Sequence, residues 1–385
     1  MSEPTAFVGA RVFDGERWHD DSALLVEAGD VAGIVPAASA GALSVQLDGG
    51  MLVPGFVDLQ VNGGGGTQFN DTPTLDGLRN ICATYTRFGT TALLPTLITD
   101  TPEITARAIA AGIAAAEARV PGFLGLHLEG PHLSLARKGA HDPKLIRPMD
   151  EADVVALIEA RQRLPNLLST VAAETVPPEQ VARLVAGGLV VSLGHSEATA
   201  LQATTAATAG ASMATHLFNA MSQIGNREPG LAGTALIDGR LNAGLIADGI
   251  HVHPDTMRIA MRAKTGPGRV FLVTDAMALT GTDQQTIMLN GRPIHRANGA
   301  LRLADGTLAG ADLTLIDAIA FMHRTIGLPL EEALRMASTY PAMALGVADR
   351  HGALRRGVAA DFVHLTEDLT VRGTWIGGEN VWKSE

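Results

Sequence analysis

Eight short apolar runs in this chain each end in or beside a hydrogen-bonding residue, and helix-length, alanine-rich stretches separate several of them. The runs cover 55–60, 89–97, 123–130, 167–174, 190–195, 212–218, 242–248 and 270–276. Stretches such as 102–118, 150–163 and 178–187 lie between them, and Thr101-Pro102 and Pro177-Pro178 suit helix starts. Alternating strand and helix units argue for a parallel sheet, and eight units favour a closed (β/α)8 TIM-type barrel. A doubly wound open sheet is the alternative, but no Gly-x-Gly-x-x-Gly turn joins a strand to a helix. The polar residues at the run ends are Gln60, Thr96, Glu129, Glu174, His195, His216, Asp248 and Asp275. Barrel enzymes carry their chemistry at the C-terminal ends of the strands, and unselected apolar strands would not end this way eight times.

The flanks read differently. Residues 1–53 look all-β, with strands at 6–13, 22–27 and 31–35 separated by Asp14-Gly15, Ala28-Gly29-Asp30 and Asp48-Gly49-Gly50. After two further helices at 311–327 and 330–340, punctuated by Pro329 and Pro341, the chain returns to strand-like runs at 360–365 and 371–376. The expected organisation is a small β-sandwich built from both termini, 1–53 and 346–385, around a catalytic barrel at 54–345.

Composition narrows the function. Hydrophobic residues make up 46% of the 385, which supports a large core, but only 4% are aromatic, so Ala, Val, Leu and Gly must fill it. The formal charge of −11 and the lack of a basic stripe argue against a nucleic-acid partner. No apolar run reaches the ~18 residues of a membrane span, and the N-terminus lacks a signal-peptide pattern, so no membrane partner and a cytoplasmic location are expected. The single cysteine, Cys82, excludes an internal disulfide and reads as a small buried side chain within a helix.

A carboxylate at a buried strand end is costly unless it is paired or holds a metal. Leu124, Leu126 and Leu128 alternate into Glu129, where Gly130-Pro131 stops the strand. His195 and His216 close two later strands in the same way. Glu129, His195 and His216 together offer an O,N,N ligand set, three protein ligands with room for a fourth, as a catalytic metal requires. One divalent metal per subunit is expected, zinc first, with iron, manganese or cobalt also compatible. Asp275 could be a further ligand or a general base beside the metal. Gly63 to Gly66 lacks the Gly-Lys-Ser/Thr of a phosphate loop and reads as a flexible loop over the site. His323 reads as structural or surface, and Ser196 lacks the Gly-x-Ser-x-Gly frame of a nucleophile.

Taken together, several blocks resemble the amidohydrolase superfamily and, within it, the N-acetylglucosamine-6-phosphate deacetylase family, across nearly the whole chain. They are Pro54 to Gln60, Asn62-Gly63 with Gln68 to Asp71, His127 to Pro131, Lys138 to His141, Gly194 to Ser196, Thr215 to Met221 and Thr274 to Ala276. The resemblance implies hydrolysis of the acetamide of N-acetylglucosamine 6-phosphate to glucosamine 6-phosphate and acetate, in amino-sugar breakdown or cell-wall recycling. It implies that Glu129, His195 and His216 bind the metal, that Asp275 is general base and then acid, and that His141 polarises the carbonyl. It also implies substrate contacts from Gln60, Ala140, His141, Asn219, Ala220 and a loop at Thr307, Leu308 and Ala309. Arg227 and His251 would form a phosphate clamp supplied across a homodimer interface.

Two departures from wider superfamily patterns matter. Gln60-Val61-Asn62 stands where many members have His-x-His for a second metal, so a single metal is expected. Gly64 stands where some members carry cysteine, so no extra sulfur ligand is available there. The absence of a lysine at the expected strand end argues against a cyclic-amide hydrolase with a binuclear site. The galactosamine epimer of the substrate stays open, and a non-catalytic scaffold would be expected to have lost some of Glu129, His195, His216 and Asp275.

Overall fold

The computed structural model describes residues 4–41, 43–289, 291–297 and 299–384. Its centre is an eight-stranded parallel barrel. The strands, in spatial and chain order, are Phe56–Val61, Thr90–Ile98, Leu126–Glu129, Leu167–Val171, Val190–Leu193, Met213–Ala214, Asn242–Leu245 and Val270–Leu272. All eight fall on the apolar runs of the sequence, the first two extending one residue further, to Val61 and Ile98. The last strand returns to the first through a parallel bridge between Val61 and Ala276, and the Asp275 N–H donates to the Gln60 carbonyl at 2.9 Å. Closure therefore brings the ends of the first and eighth strands together.

Helices follow the strands and cover the barrel: Leu75–Thr86, Pro102–Glu117, Glu151–Arg163, Pro178–Ala186, Ala200–Thr208, Gly230–Ile237, Pro254–Ala263 and Leu315–Phe321. Their starts are written in the sequence. Thr101 caps the helix beginning at Pro102, and Asp150 with Asp153 and Thr199 with Gln202 form reciprocal capping boxes. Cys82 is buried in the first of these helices, and burial pushes its thiol up to about 12. Among the described residues, no helix is long and apolar enough to cross a membrane.

Both termini build the small β-sandwich. Met51–Pro54 pairs antiparallel with Phe362–Leu365 in a six-stranded sheet, opposite a four-stranded sheet that contains Thr5–Val8 and Ser22–Glu27. Phe7, Phe362 and Trp375 meet between them, with ring centroids 4.8–5.7 Å apart.

Four local expectations need correction. The run 6–13 is two strands in different sheets, Thr5–Val8 and Arg11–Phe13. Gly9 turns between them at φ +95°, where a Cβ would sit 2.4 Å from the Leu47 carbonyl oxygen. The second of the late helices ends at Ala337, and Pro341 lies inside the first turn of another helix, Thr339–Leu345, where its missing N–H is not needed. Gly63–Gly64 and Thr67–Gln68 pair as a small hairpin rather than a free loop. It is tied down by bonds from Gly65 N–H to Thr280 and from the Tyr85 hydroxyl to Gly63. A Cβ on Gly64 would come within 2.7 Å of the Tyr85 ring, so a side chain at 64 needs that ring to shift. Finally, a four-stranded antiparallel sheet is inserted after the eighth barrel strand: Thr286–Leu289, Arg292–Ala297, Ala300–Leu303 and Leu308–Ala311. Leu308 and Ala309 thus begin a strand rather than lying in a loop, with Thr307 just before it.

Candidate active site

The strand ends surround a cavity of about 530 Å³, within the range of small-ligand pockets. Glu129, Ala140, His141, His195, His216, Asn219, Ala220, His251, Asp275, Thr307, Leu308 and Ala309 all line it. Gln60 is buried just behind, and its amide donates to Glu129 Oε1 at 3.1 Å and to Asp275 Oδ1 at 3.2 Å. Arg227 is not part of this lining: it is exposed on the segment that follows the sixth strand.

Glu129 Oε1 lies 3.1 Å from His216 Nε2 and 3.3 Å from His195 Nε2, and the two Nε2 atoms are 3.0 Å apart. Donors at ~2.0–2.1 Å from one tetrahedral ion stand roughly 3.3 Å from each other, so this spacing suits a single bound cation. Hydrogen-bond chemistry agrees. The His195 Nδ1–H donates to the Arg137 carbonyl at 2.8 Å, so its Nε2 presents a bare lone pair to the Glu129 oxygen. Two acceptors facing each other at that range call for a cation between them. His216 Nδ1 is buried without a partner.

A wider group, Glu129, His141 and His195, also brings donor atoms within 4.8 Å of one another. Proton placement separates His141 from the tighter trio. Thr99 faces His141 Nδ1 with both its N–H, at 3.3 Å, and its hydroxyl, at 2.7 Å; with both donating, the ring's proton sits on Nε2, 3.9 Å from Glu129 Oε2. His141 therefore offers a donor to the cavity rather than a lone pair. Burial, and then positive charge at the His195 position, hold it neutral, well below the usual imidazole range.

Burial raises Glu129, but protons on His195 and His216, through hydrogen bonds and charge, outweigh that and hold it well below the usual carboxylate range; a cation held by the bare ring nitrogens would act in the same direction. Burial pulls His216 down, and its bond to Glu129 more than offsets this and raises it. Asp275 is different: burial and then the Glu129 charge raise it to about 6. The Asn62 amide, not anticipated as a site residue, donates to Asp275 Oδ1 at 2.7 Å. Gln60 and Asn62 thus grip the same oxygen and leave Oδ2 turned to other partners. The grip spans more than two hundred residues of chain, and only barrel closure creates it.

His251 Nδ1 bonds Asp248 Oδ2 at 2.6 Å, and its buried Nε2 has no partner. Arg137 and Arg302 also line the cavity and carried no signal in the sequence. The inserted sheet closes one side, because the Ala311 N–H donates to the Asp275 carbonyl at 2.8 Å. Gly310 makes that approach feasible: it has φ +71°, and a Cβ there would meet the Asp275 carbonyl oxygen at 2.8 Å. Among the described residues, nine non-glycine residues have positive φ, and His195, His216, Phe218, Ala220 and Asp275 are five of them. Backbone strain is thus concentrated where the side chains converge.

Comparison with known proteins places this geometry in context. The model of the amidohydrolase family matches residues 51–381. An N-acetylgalactosamine-6-phosphate deacetylase from Shewanella sp. (strain ANA-3) is 40% identical over 98% of this chain and 96% of its own. An N-acetylglucosamine-6-phosphate deacetylase from Haemophilus influenzae is 34% identical over 94% of this chain and 95% of its own. The crystal structure of N-acetylglucosamine-6-phosphate deacetylase from Pasteurella multocida superposes with a TM-score of 0.94 at 34% identity, covering 98% of this chain and 99% of that one.

Proposed function

The chain belongs to the amidohydrolase family, and from that premise we propose that it deacetylates a phosphorylated N-acetylhexosamine, with N-acetylglucosamine 6-phosphate as substrate. The products are glucosamine 6-phosphate and acetate, and the setting is amino-sugar breakdown or cell-wall recycling. The observation that carries this reading is the convergence, over one cavity, of the Glu129, His195 and His216 donors with the gripped Asp275 carboxylate and the His141 donor.

Glu129, His195 and His216 would hold one divalent metal, with zinc the first choice for an O,N,N set. When bound, the metal supplies Lewis acidity, lowering the pKa of a water and polarising the amide. Asp275 takes the proton of the attacking water on Oδ2, since Oδ1 is engaged by Gln60 and Asn62. It then delivers that proton to the departing amine as the C–N bond breaks. The neutral His141 ring donates Nε2–H to the carbonyl oxygen as negative charge builds there. The inserted sheet, through Thr307, Leu308 and Ala309, shapes the opposite wall. His251, held by Asp248, turns its unpartnered Nε2 to the substrate. Arg227, exposed and outside its own cavity, suits a phosphate contact given to a neighbouring subunit in a homodimer.

A second reading, the galactosamine epimer, is favoured by the 40% identity to the Shewanella protein. Acetate release from the metal-loaded protein tests both readings, with N-acetylglucosamine 6-phosphate, N-acetylgalactosamine 6-phosphate and unphosphorylated N-acetylglucosamine compared side by side. Preference for the first supports the proposal. Preference for the second keeps the chemistry and changes the substrate, and no release from any of the three refutes deacetylation of these sugars.

A further inference from the structure

Glu174 is the strand-end residue that the reaction above leaves unused. It follows the fourth barrel strand, yet both of its carboxylate oxygens are spent on the segment after the fifth. Oε2 accepts from the Ser196 hydroxyl at 2.5 Å, and Oε1 accepts from the Glu197 N–H at 2.7 Å. Ser196 is fully buried and has one proton to give. Its Oγ already accepts from the N–H groups of Ala173 (3.3 Å) and Ala198 (3.2 Å), so that proton needs an acceptor, and Glu174 supplies it.

Ser196 also joins three strand ends. Its N–H donates to the Ala220 carbonyl at 3.1 Å and its own carbonyl accepts from Ser222 at 2.9 Å, in the loop beyond His216. Immediately before it stands His195, a non-glycine residue at φ +45°. The Glu197 side chain pairs with the Arg137 guanidinium, and the Arg137 carbonyl receives the His195 Nδ1–H. The carboxylate of Glu174 therefore closes a ring: through Ser196 it fixes the backbone that follows His195, and through Glu197 and Arg137 it reaches the peptide that orients the His195 ring.

We propose that Glu174 is a positioning residue for His195, holding its Nε2 on the Glu129 oxygen through Ser196 and the Glu197–Arg137 pair. This rests on the metal reading of the site. Partners of this kind that orient a ligating histidine are worth about 10–100-fold in metal affinity, and Glu174 acts one step further out, so the lower end applies.

The chosen variant is Glu174→Gln, which keeps the volume but turns an amide donor toward one of two donors, Ser196 Oγ–H or Glu197 N–H. Zinc affinity is measured by competition with a chromogenic chelator. The visible spectrum of the cobalt(II)-loaded protein and the melting midpoint of the metal-free protein are recorded for wild type, Glu174→Gln, Glu174→Ala, Ser196→Ala and the Glu174→Ala/Ser196→Ala double variant. The expected result is an about tenfold higher zinc dissociation constant for Glu174→Gln. Its cobalt spectrum should be altered while its metal-free midpoint stays close to wild type. The double variant should bind zinc no worse than its worse parent, because both act on one link. Wild-type zinc affinity and cobalt spectrum in Glu174→Gln would overturn the proposal, whatever happens to the midpoint, since a purely structural carboxylate moves only the latter. A wild-type protein that binds no zinc or cobalt would instead overturn the metal reading on which the proposal stands.

Discussion

Replacing Asn62 with leucine removes the shorter of two bonds to Asp275 Oδ1 and leaves the other in place. The lost bond is 2.7 Å long and partly buried, and it is made to an acceptor that is charged when Asp275 acts as a base; the remaining one, from Gln60, is 3.2 Å. A hydrogen bond to a charged group contributes about 1.5–3 kcal/mol, and one pKa unit corresponds to about 1.4 kcal/mol. Because Gln60 keeps part of the grip, the smaller end applies, and the Asp275 pKa should rise by about one unit. The sign is fixed by which form the bond favours. Asn62 stabilises the ionised carboxylate, so its loss favours the protonated form, which cannot accept the proton of water. The assay is kcat/KM of the zinc-loaded enzyme across the acidic range, where the profile reports the free enzyme's base. The acidic limb should move up by about one pH unit relative to wild type, with the rate on the alkaline plateau close to wild type and zinc content unchanged. Bound metal shifts both limbs, but the difference between them survives. An unmoved limb, or one displaced toward lower pH, would refute the idea that Asn62 holds Asp275 for base catalysis.

Asp275→Asn should lower kcat by roughly 10²–10⁴-fold, the usual worth of general acid–base catalysis, while elemental analysis still finds the metal. Arg227→Ala should raise KM for the phosphorylated sugar by tenfold or more, the equivalent of losing a bond to a charged group, and barely change hydrolysis of the unphosphorylated one. Asp58 lies fully buried, accepts from Thr274 Oγ1 at 2.6 Å and is pushed up to about 7 by that burial. Its folded pKa lies above the unfolded value near 3.9, so its contribution to stability is complete below that value and is lost as pH rises through about 7. Asp58→Asn can keep the same bonds, accepting from the Gln60 and Thr274 N–H groups and donating to Thr274 Oγ1. Its melting temperature should therefore vary less between pH 4 and 8 than wild type and exceed it at the alkaline end; a parallel pH dependence in both proteins would contradict this.

The barrel was legible because its strands are buried on both faces, which makes them nearly unbroken apolar runs, and because each ends where a polar group becomes affordable. The inserted sheet was not. Its strands are short, the first two are half-exposed, and Arg292–Ala297 carries two arginines, a histidine and a proline, so no apolar run marks it. The available signal lay in the sequence alone: the turn-type dipeptides Asn290-Gly291, Asn298-Gly299 and Asp305-Gly306 recur at hairpin spacing. The split at Gly9 was hidden for a related reason, since Phe7, Val12 and Phe13 continue an apolar pattern across a glycine that only crowding against Leu47 explains.

The same division runs through the site. Glu129, His195, His216 and Asp275 announce themselves because a titratable side chain closing an apolar strand needs a reason to be there. Their supports do not. Asn62 looks like part of a glycine-rich loop until the eighth strand closes against the first and sets Asp275 beside it. Glu174 looks like one more strand-end acid until folding points it sideways at Ser196 rather than into the cavity. A residue that would touch metal or substrate can be recognised by its chemistry at one position of the chain. A residue that aims another is defined by a distance between two positions, and that distance exists only once the barrel has closed. This is why replacing Gln60 and Asn62 by histidines, to restore the His-x-His of relatives with two metals, is not a local exchange. Two new ligands would be gained, and Asp275 would lose both donors on Oδ1.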